Sequence, residues 1–257
     1  MISIKTEKEI QVMAEGGKIL AGVVWKVLEN AKPGVSEVEL DKLAEKLILE
    51  KGGYPGFKKV NGYKNAICIS TNEVVVHGIP TAYKLKEGDV IGIDCGVYYK
   101  GLHTDMSETI CVSAKGGSAS GGQSLETDKF LETGKKALNE AIKVAKAGNR
   151  VGHISKTIQD VVEGAGYSVV QSLVGHGVGK NLHEEPEVPG FLSLPIEETP
   201  ILKKGMTIAV EVIYNMGGHE VVLGSDNWTI ITEDKSISGV FERSIAITDK
   251  DPLILTQ

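Results

Sequence analysis

Leu85-Lys86-Glu87-Gly88-Asp89-Val90-Ile91-Gly92-Ile93-Asp94 can be laid over Leu202-Lys203-Lys204-Gly205-Met206-Thr207-Ile208-Ala209-Val210-Glu211. Leu, Lys, Gly and Ile coincide, and each segment closes on a carboxylate. A second carboxylate follows in each half, Asp105 and Glu242, with a serine two residues later. A β-like run comes next, Ile110 and Val112 in one half, Ile245 and Ile247 in the other. Two such stretches, each donating two acids, predict a duplicated α+β unit with a site between its halves, roughly 1–124 and 125–257. Chance similarity is the competing reading of so short a match.

Helical signals precede the strands in each half. Thr6 to Glu9 and Ser36 to Glu39 have the form of capping boxes. Ile10, Met13, Leu20, Val23, Val24, Val27 and Leu28 recur at helical spacing after the first box. Leu40, Leu43, Leu47 and Ile48 do so after the second, and Gly52-Gly53 ends that helix. Residues 66–76 and 89–99, rich in Ile and Val, read as strands. Helical patterns return from Thr127 to Ala147 and from Ile154 to Val162. Gly116 to Ser124 is of low complexity and reads as a surface loop, with too little linker composition to divide the chain. The 257 residues are therefore read as one catalytic domain.

Composition excludes several classes. A net charge of -6 without a Lys/Arg cluster argues against binding a phosphate backbone. The N-terminus lacks the apolar core of a signal peptide, and no apolar stretch is long enough to span a bilayer. Cys68, Cys95 and Cys111 are odd in number and form no CxxC pair, which argues against disulfides and a thiolate zinc site. A soluble enzyme of a reducing cytoplasm is the expectation.

Asp94 closes an apolar run and reads as an acid at a strand end, and Glu211 sits inside such a run, Ile208 to Ile213. A buried carboxylate is costly without a partner such as a metal or a base. The turn-like Tyr98-Tyr99-Lys100-Gly101 would fold Asp105 back toward Asp94. His176 stands in Gly175-His176-Gly177-Val178-Gly179, where the glycines leave the imidazole uncrowded. The spacing fits neither phosphate-binding glycine motif. His183 follows in Leu182-His183-Glu184-Glu185-Pro186, and His77 ends the run Val74-Val75-Val76. A lone histidine like His77 is more often structural than catalytic. His103, His153 and His219 receive no role.

Asp94, Asp105, His176, Glu211 and Glu242, taken with Ser70 to Pro80, Gly175 to Gly179, His183 to Pro186, Ser225 to Thr229 and Phe241-Glu242, resemble the methionine aminopeptidases from Lys5 to Thr248. The resemblance implies the pita-bread α+β fold, two pseudo-symmetric halves with a curved, mainly antiparallel sheet and the metals between them. It implies that these five residues hold two divalent ions, Co, Mn or Fe(II), with Zn or Ni also admissible. Asp105 and Glu242 would bridge, Asp94 would complete one shell, and His176 and Glu211 the other. An oxygen-rich set with one imidazole suits such ions, and five ligands are too many for one tetrahedral ion. A water between the ions would be the nucleophile and Glu211 its base. His183 would stabilise the oxyanion, and His77 would lie near the scissile nitrogen or the residue following it. Cys68, Tyr63 and Trp228, with Leu182 and Phe57, would form the methionine pocket. Substrates would be nascent chains with a small second residue, met by a monomer at the ribosome.

The chain departs from the family pattern at Leu182, often aromatic in bacterial members, at Val60 and Asn61, and at Val212, where Pro is common. Two rival readings remain. A prolidase or X-Pro aminopeptidase shares the fold and ligands and is favoured slightly by Asp94-Cys95-Gly96, but usually carries an additional N-terminal domain. A non-enzymatic binding protein on the fold would have lost ligands, and all five are present.

Overall fold

Both capping boxes form. Thr6 Oγ1 accepts from Glu9 N and Glu9 Oε2 accepts from Thr6 N, opening α1 (Glu7–Asn30). Ser36 and Glu39 do the same for α2 (Glu37–Glu50). The computed structural model describes residues 2–113 and 125–257. Gly116 to Ser124, read above as a loop, lies outside the described residues.

Beyond the first two helices the chain runs through β1 (Tyr54–Pro55), β2 (Ile67–Thr71), β3 (Val74–Val76), β4 (Val90–Tyr99) and β5 (Leu102–Cys111). After α3 (Leu125–Val144) and α4 (Val151–Gly164) come β6 (Ser168–Val169), β7 (Val174–Gly177), β8 (Glu184–Pro189) and β9 (Thr207–Asn215). The last strands are β10 (Val221–Leu223), β11 (Ile230–Thr232), β12 (Ser238–Ala246) and β13 (Leu253–Ile254). The main sheet is ordered β1-β4-β5-β12-β9-β7-β8, with β2 on β4, β6 on β9 and β13 on β12. All its pairings are antiparallel. It is an open sheet, as the pita-bread expectation requires. A second, small sheet, β10-β11-β3, packs on it through Val75 and Val76 against Ile213 and Val240.

One sheet face carries the helices. The apolar stripe of α1, including Leu20, Val23, Val24 and Val27, packs with Leu40 and Ile48 of α2 onto Ile67, Ile91, Ile93 and Met106. Phe130, Leu131, Leu138, Ile154 and Ile158 of α3 and α4 pack onto Val210, Val212, Phe241 and Ile245. Each fully buried Leu, Ile or Phe contributes about 1.5–3 kcal/mol. Helices and strands therefore repeat across the β5–β12 seam, as the internal echo anticipates. The Lys100-Gly101 turn, with φ of 47° and 93°, closes the β4–β5 hairpin tightly.

The stretch 66–76 is not one strand: it breaks at Asn72-Glu73, where Asn72 has φ of 55°, into β2 and β3, which belong to different sheets. Asp94 was expected at a strand end, but it lies in the middle of β4. The apolar run stops there because the side chains of β4 alternate between the helix-covered face and the open face.

Candidate active site

Strand register puts the acids in one row. Asp94 on β4 faces Ser107 on β5, Ser107 faces Glu242 on β12, and Glu242 faces Glu211 on β9. Cys68 on β2 extends the row beyond Asp94. Directly opposed residues in antiparallel strands share a face, so all five side chains point to the side away from the helices. Asp105 precedes Ser107 by one pleat and joins the same face. His176 on β7 faces Ala209, one pleat from Glu211. Its Nε2 lies 3.4 Å from Glu211 Oε1.

The electrostatics are unusual for a surface row. Ligand atoms of Asp105, His176 and Glu242 lie within 4.8 Å of one another. Burial and the Ser107 and Cys95 hydrogen bonds act oppositely on Asp94, and burial prevails, pushing its carboxyl up to about 7. Burial, then the charge of neighbouring acids, pushes Asp105, Glu211 and Glu242 well above the ordinary range. Asp94 Oδ1 and Glu242 Oε1 are buried without a hydrogen-bond partner. Burial, then the His183 ring, holds His176 down to about 4, so its imidazole is neutral. Its Nδ1 lies 2.8 Å from Gly177 O. Donation from Nδ1–H leaves the Nε2 lone pair free toward the acids. Orphaned carboxylate oxygens, a free imidazole lone pair and mutual repulsion fit a centre that receives divalent cations.

The row floors a cleft of about 830 Å³. Every residue named above as ligand, catalytic or pocket residue lines it. At one end Phe57, Tyr63, Cys68 and Leu182 form a buried apolar cluster, with Val60 and Trp228 packed on it. Trp228 stacks on Tyr63 at 5.3 Å, and Tyr63 Oη donates to Ile67 O at 2.7 Å. Asp226 accepts from Trp228 N and Thr229 N, shaping the turn that presents the indole. His183 stands edge-on to His176, ring centres 4.4 Å apart. His77 follows β3 with φ of 58°, its ring 6.5 Å from that of Trp228. Burial lowers the pKa of both histidines.

Of the departures, Val60 lines the cleft, Asn61 is exposed, and Val212 lies in the helix-side core. His103 is buried against Tyr98, and His153 Nδ1 accepts from Arg150 N at the start of α4. His219 is exposed. Two serines were not singled out as site residues. Ser107 Oγ donates to Glu242 Oε2 at 3.1 Å, and Ser244 Oγ accepts from Asp105 N at 2.8 Å. The repeated serine two residues past each second acid is the signal that marks them.

An open antiparallel sheet bearing one histidine and four crowded carboxylates defines a metal-dependent hydrolase, and the chain belongs to the Metallopeptidase family M24, which it matches over residues 11–249. It is 41% identical to methionine aminopeptidase 1 of Bacillus subtilis, the match covering 100% of both chains. It superposes on the crystal structure of the Thermotoga maritima methionine aminopeptidase with a TM-score of 0.93 at 37% identity, again over 100% of both. A prolidase from Pyrococcus furiosus shares the fold at a TM-score of 0.76 and 22% identity, but the match spans only 65% of that chain.

Proposed function

We propose that the chain is one catalytic unit that removes the N-terminal methionine from newly made polypeptides with a small second residue. The observation that carries this is the contact between pocket and acids. Cys68, in the apolar pocket, is the cross-strand partner of Asp94. A side chain seated there brings the first peptide bond over the carboxylate row.

Asp94, Asp105, His176, Glu211 and Glu242 would hold two divalent cations, of which Mn, Fe(II) and Co suit the donor set best and Zn or Ni also fit. Bound cations acidify water and neutralise developing negative charge. Glu211 accepts a proton from the attacking water and returns it to the leaving amine. His183, neutral and facing the cleft, donates a hydrogen bond to the scissile carbonyl oxygen as it gains charge. His77 borders the path of the second residue, where bulk displaces the bond from the acids. The pocket of Phe57, Tyr63, Cys68, Leu182 and Trp228 holds the methionine, whose flexible thioether packs well against aromatic rings. The Ser107 hydroxyl fixes the rotamer of Glu242.

In this reading the enzyme works in the cytoplasm, where nascent chains leave the ribosome, and acts as a monomer. Among the described residues no helix is long and apolar enough to cross a membrane. The test is tripeptide hydrolysis with Mn, Fe(II) and Co supplied separately. Met-Ala-Ser should be cleaved readily, Met-Lys and Met-Phe peptides barely, and Ala-Pro peptides not at all. Faster turnover of X-Pro peptides would replace this reading with the prolidase one.

A further inference from the structure

A buried ion pair ties the N-terminal segment to the turn that carries His183. Lys5 Nζ lies 2.5 Å from Glu184 Oε2, with side-chain exposures of only 3% and 10%. Surface pairs such as Lys26–Glu29, at 57% and 63%, have no such constraint. Lys5 is fixed from behind, because its backbone N–H donates to Gly205 O at 2.7 Å. Glu184 is fixed from the other side, because its Oε1 accepts from Asn181 N at 3.0 Å. Glu184 thus closes the turn 180–184 on itself, and Lys5 pins the closed turn to the start of α1.

The surroundings are shaped for the ammonium. A Cβ at Gly179 would collide with Lys5 Cε and stand 2.8 Å from Nζ. Gly179 O in turn accepts from His103 N at 2.7 Å. The pinned turn carries Leu182, a wall of the apolar pocket, and His183, the immediate neighbour of Glu184. A buried ion pair is poor evidence for stability alone, since its desolvation offsets its attraction. Its placement fixes two cleft side chains at once, which is what a preorganised site demands of its support.

We propose that Lys5 is a positioning residue that acts through Glu184 to hold His183 over the scissile bond and Leu182 against the substrate side chain. This rests on the reading of His183 as a donor to the scissile carbonyl.

The test compares Lys5→Met, Glu184→Gln and their double variant, each also made on His183→Ala. Metal content, Tm, amide exchange over residues 179–184, and kcat and KM for Met-Ala-Ser and Leu-Ala-Ser are measured. The expected result is unchanged metal content, faster exchange in the turn with or without metal, and kcat lower by about 10- to 100-fold. The double variant should be no worse than the poorer single, and the preference for Met over Leu should narrow. On His183→Ala, Lys5→Met should lower kcat no further, and only the narrowed preference for Met over Leu should remain. A lowered Tm with kcat within about twofold of wild type, or an equal loss on His183→Ala, overturns the proposal. Should Lys5→Met not fold, Glu184→Gln decides, since it is isosteric and keeps its acceptor oxygen. Full activity in that variant also overturns it. Wild-type protein that ignores Met-Ala-Ser refutes the methionine reading itself, a separate and visible failure.

Discussion

Removing divalent cations should make stability fall as pH rises. Asp94 ordinarily titrates at 3.8 and is pushed up to about 7 in the folded chain. Asp105, Glu211 and Glu242 are raised in the same direction, by burial first and by the charge of neighbouring acids, Asp94 among them, second. Groups raised in this way stabilise the fold while protonated, and that contribution is lost as pH climbs through the folded value. Histidines act oppositely. His176 and His103 are lowered from 6.5 to about 4, so their contribution is complete above 6.5 and lost below it. The clean window therefore runs from about pH 6.5 to about 8.5, short of the ordinary thiol value of 9.0 for Cys68 and Cys95. Across it the contribution of Asp94 falls by about 1 kcal/mol. The other acids act in the same direction, so a fall of at least about 1 kcal/mol is expected in all, or at least roughly 2–4 °C in Tm for a chain of this size. The assay is thermal unfolding after chelation, followed by circular dichroism. Adding Mn back should abolish or reverse the slope, since binding requires deprotonated carboxylates. A metal-free Tm that is flat or rises across the window would refute the crowded-carboxylate account.

Two further predictions concern the cleft. His183→Ala should lower kcat by about 10²–10³ while leaving metal stoichiometry intact, because the side chain acts on the transition state; loss of metal, measured by elemental analysis, would make it a ligand instead. Gly96→Ala should raise KM for Met-Ala-Ser and cost about 1–3 kcal/mol in urea unfolding. Its Cβ would stand 2.8 Å from Phe57 Cε1, too close for contact, and push that ring toward the pocket, while Leu182 Cδ1 at 3.4 Å could stay in place. An unchanged KM would remove Phe57 from the pocket wall.

Much of this was legible because period and chemistry coincide. The two capping boxes, the hairpin turn at Lys100-Gly101 and the apolar runs around Asp94 and Glu211 are local signals, and each gave its element. The echo between Leu85–Asp94 and Leu202–Glu211 announced that two acids would come from each half. What local pattern cannot carry is register across strands distant in sequence. Nothing near Ser107 indicates that it faces both Asp94 and Glu242. Lys5 and Glu184 meet across 179 positions, and neither looks unusual where it stands. The end of an apolar run at Asp94 suggested a strand end for the same reason, because a change of face and the end of a strand read alike along a chain.

The β5–β12 seam has a consequence for when the enzyme comes into being. Asp94 and Asp105 lie on one side of it and Glu211 and Glu242 on the other, and Ser107 reaches Glu242 across 135 positions. During synthesis the first two acids leave the ribosome long before the second two exist. Closure of contacts so far apart in sequence is a slow, late event in folding. Until the seam zips shut, the emerging chain holds only half of a chelate. The ability to trim other proteins' first residue therefore arrives in a single step, near the end of the chain's own maturation.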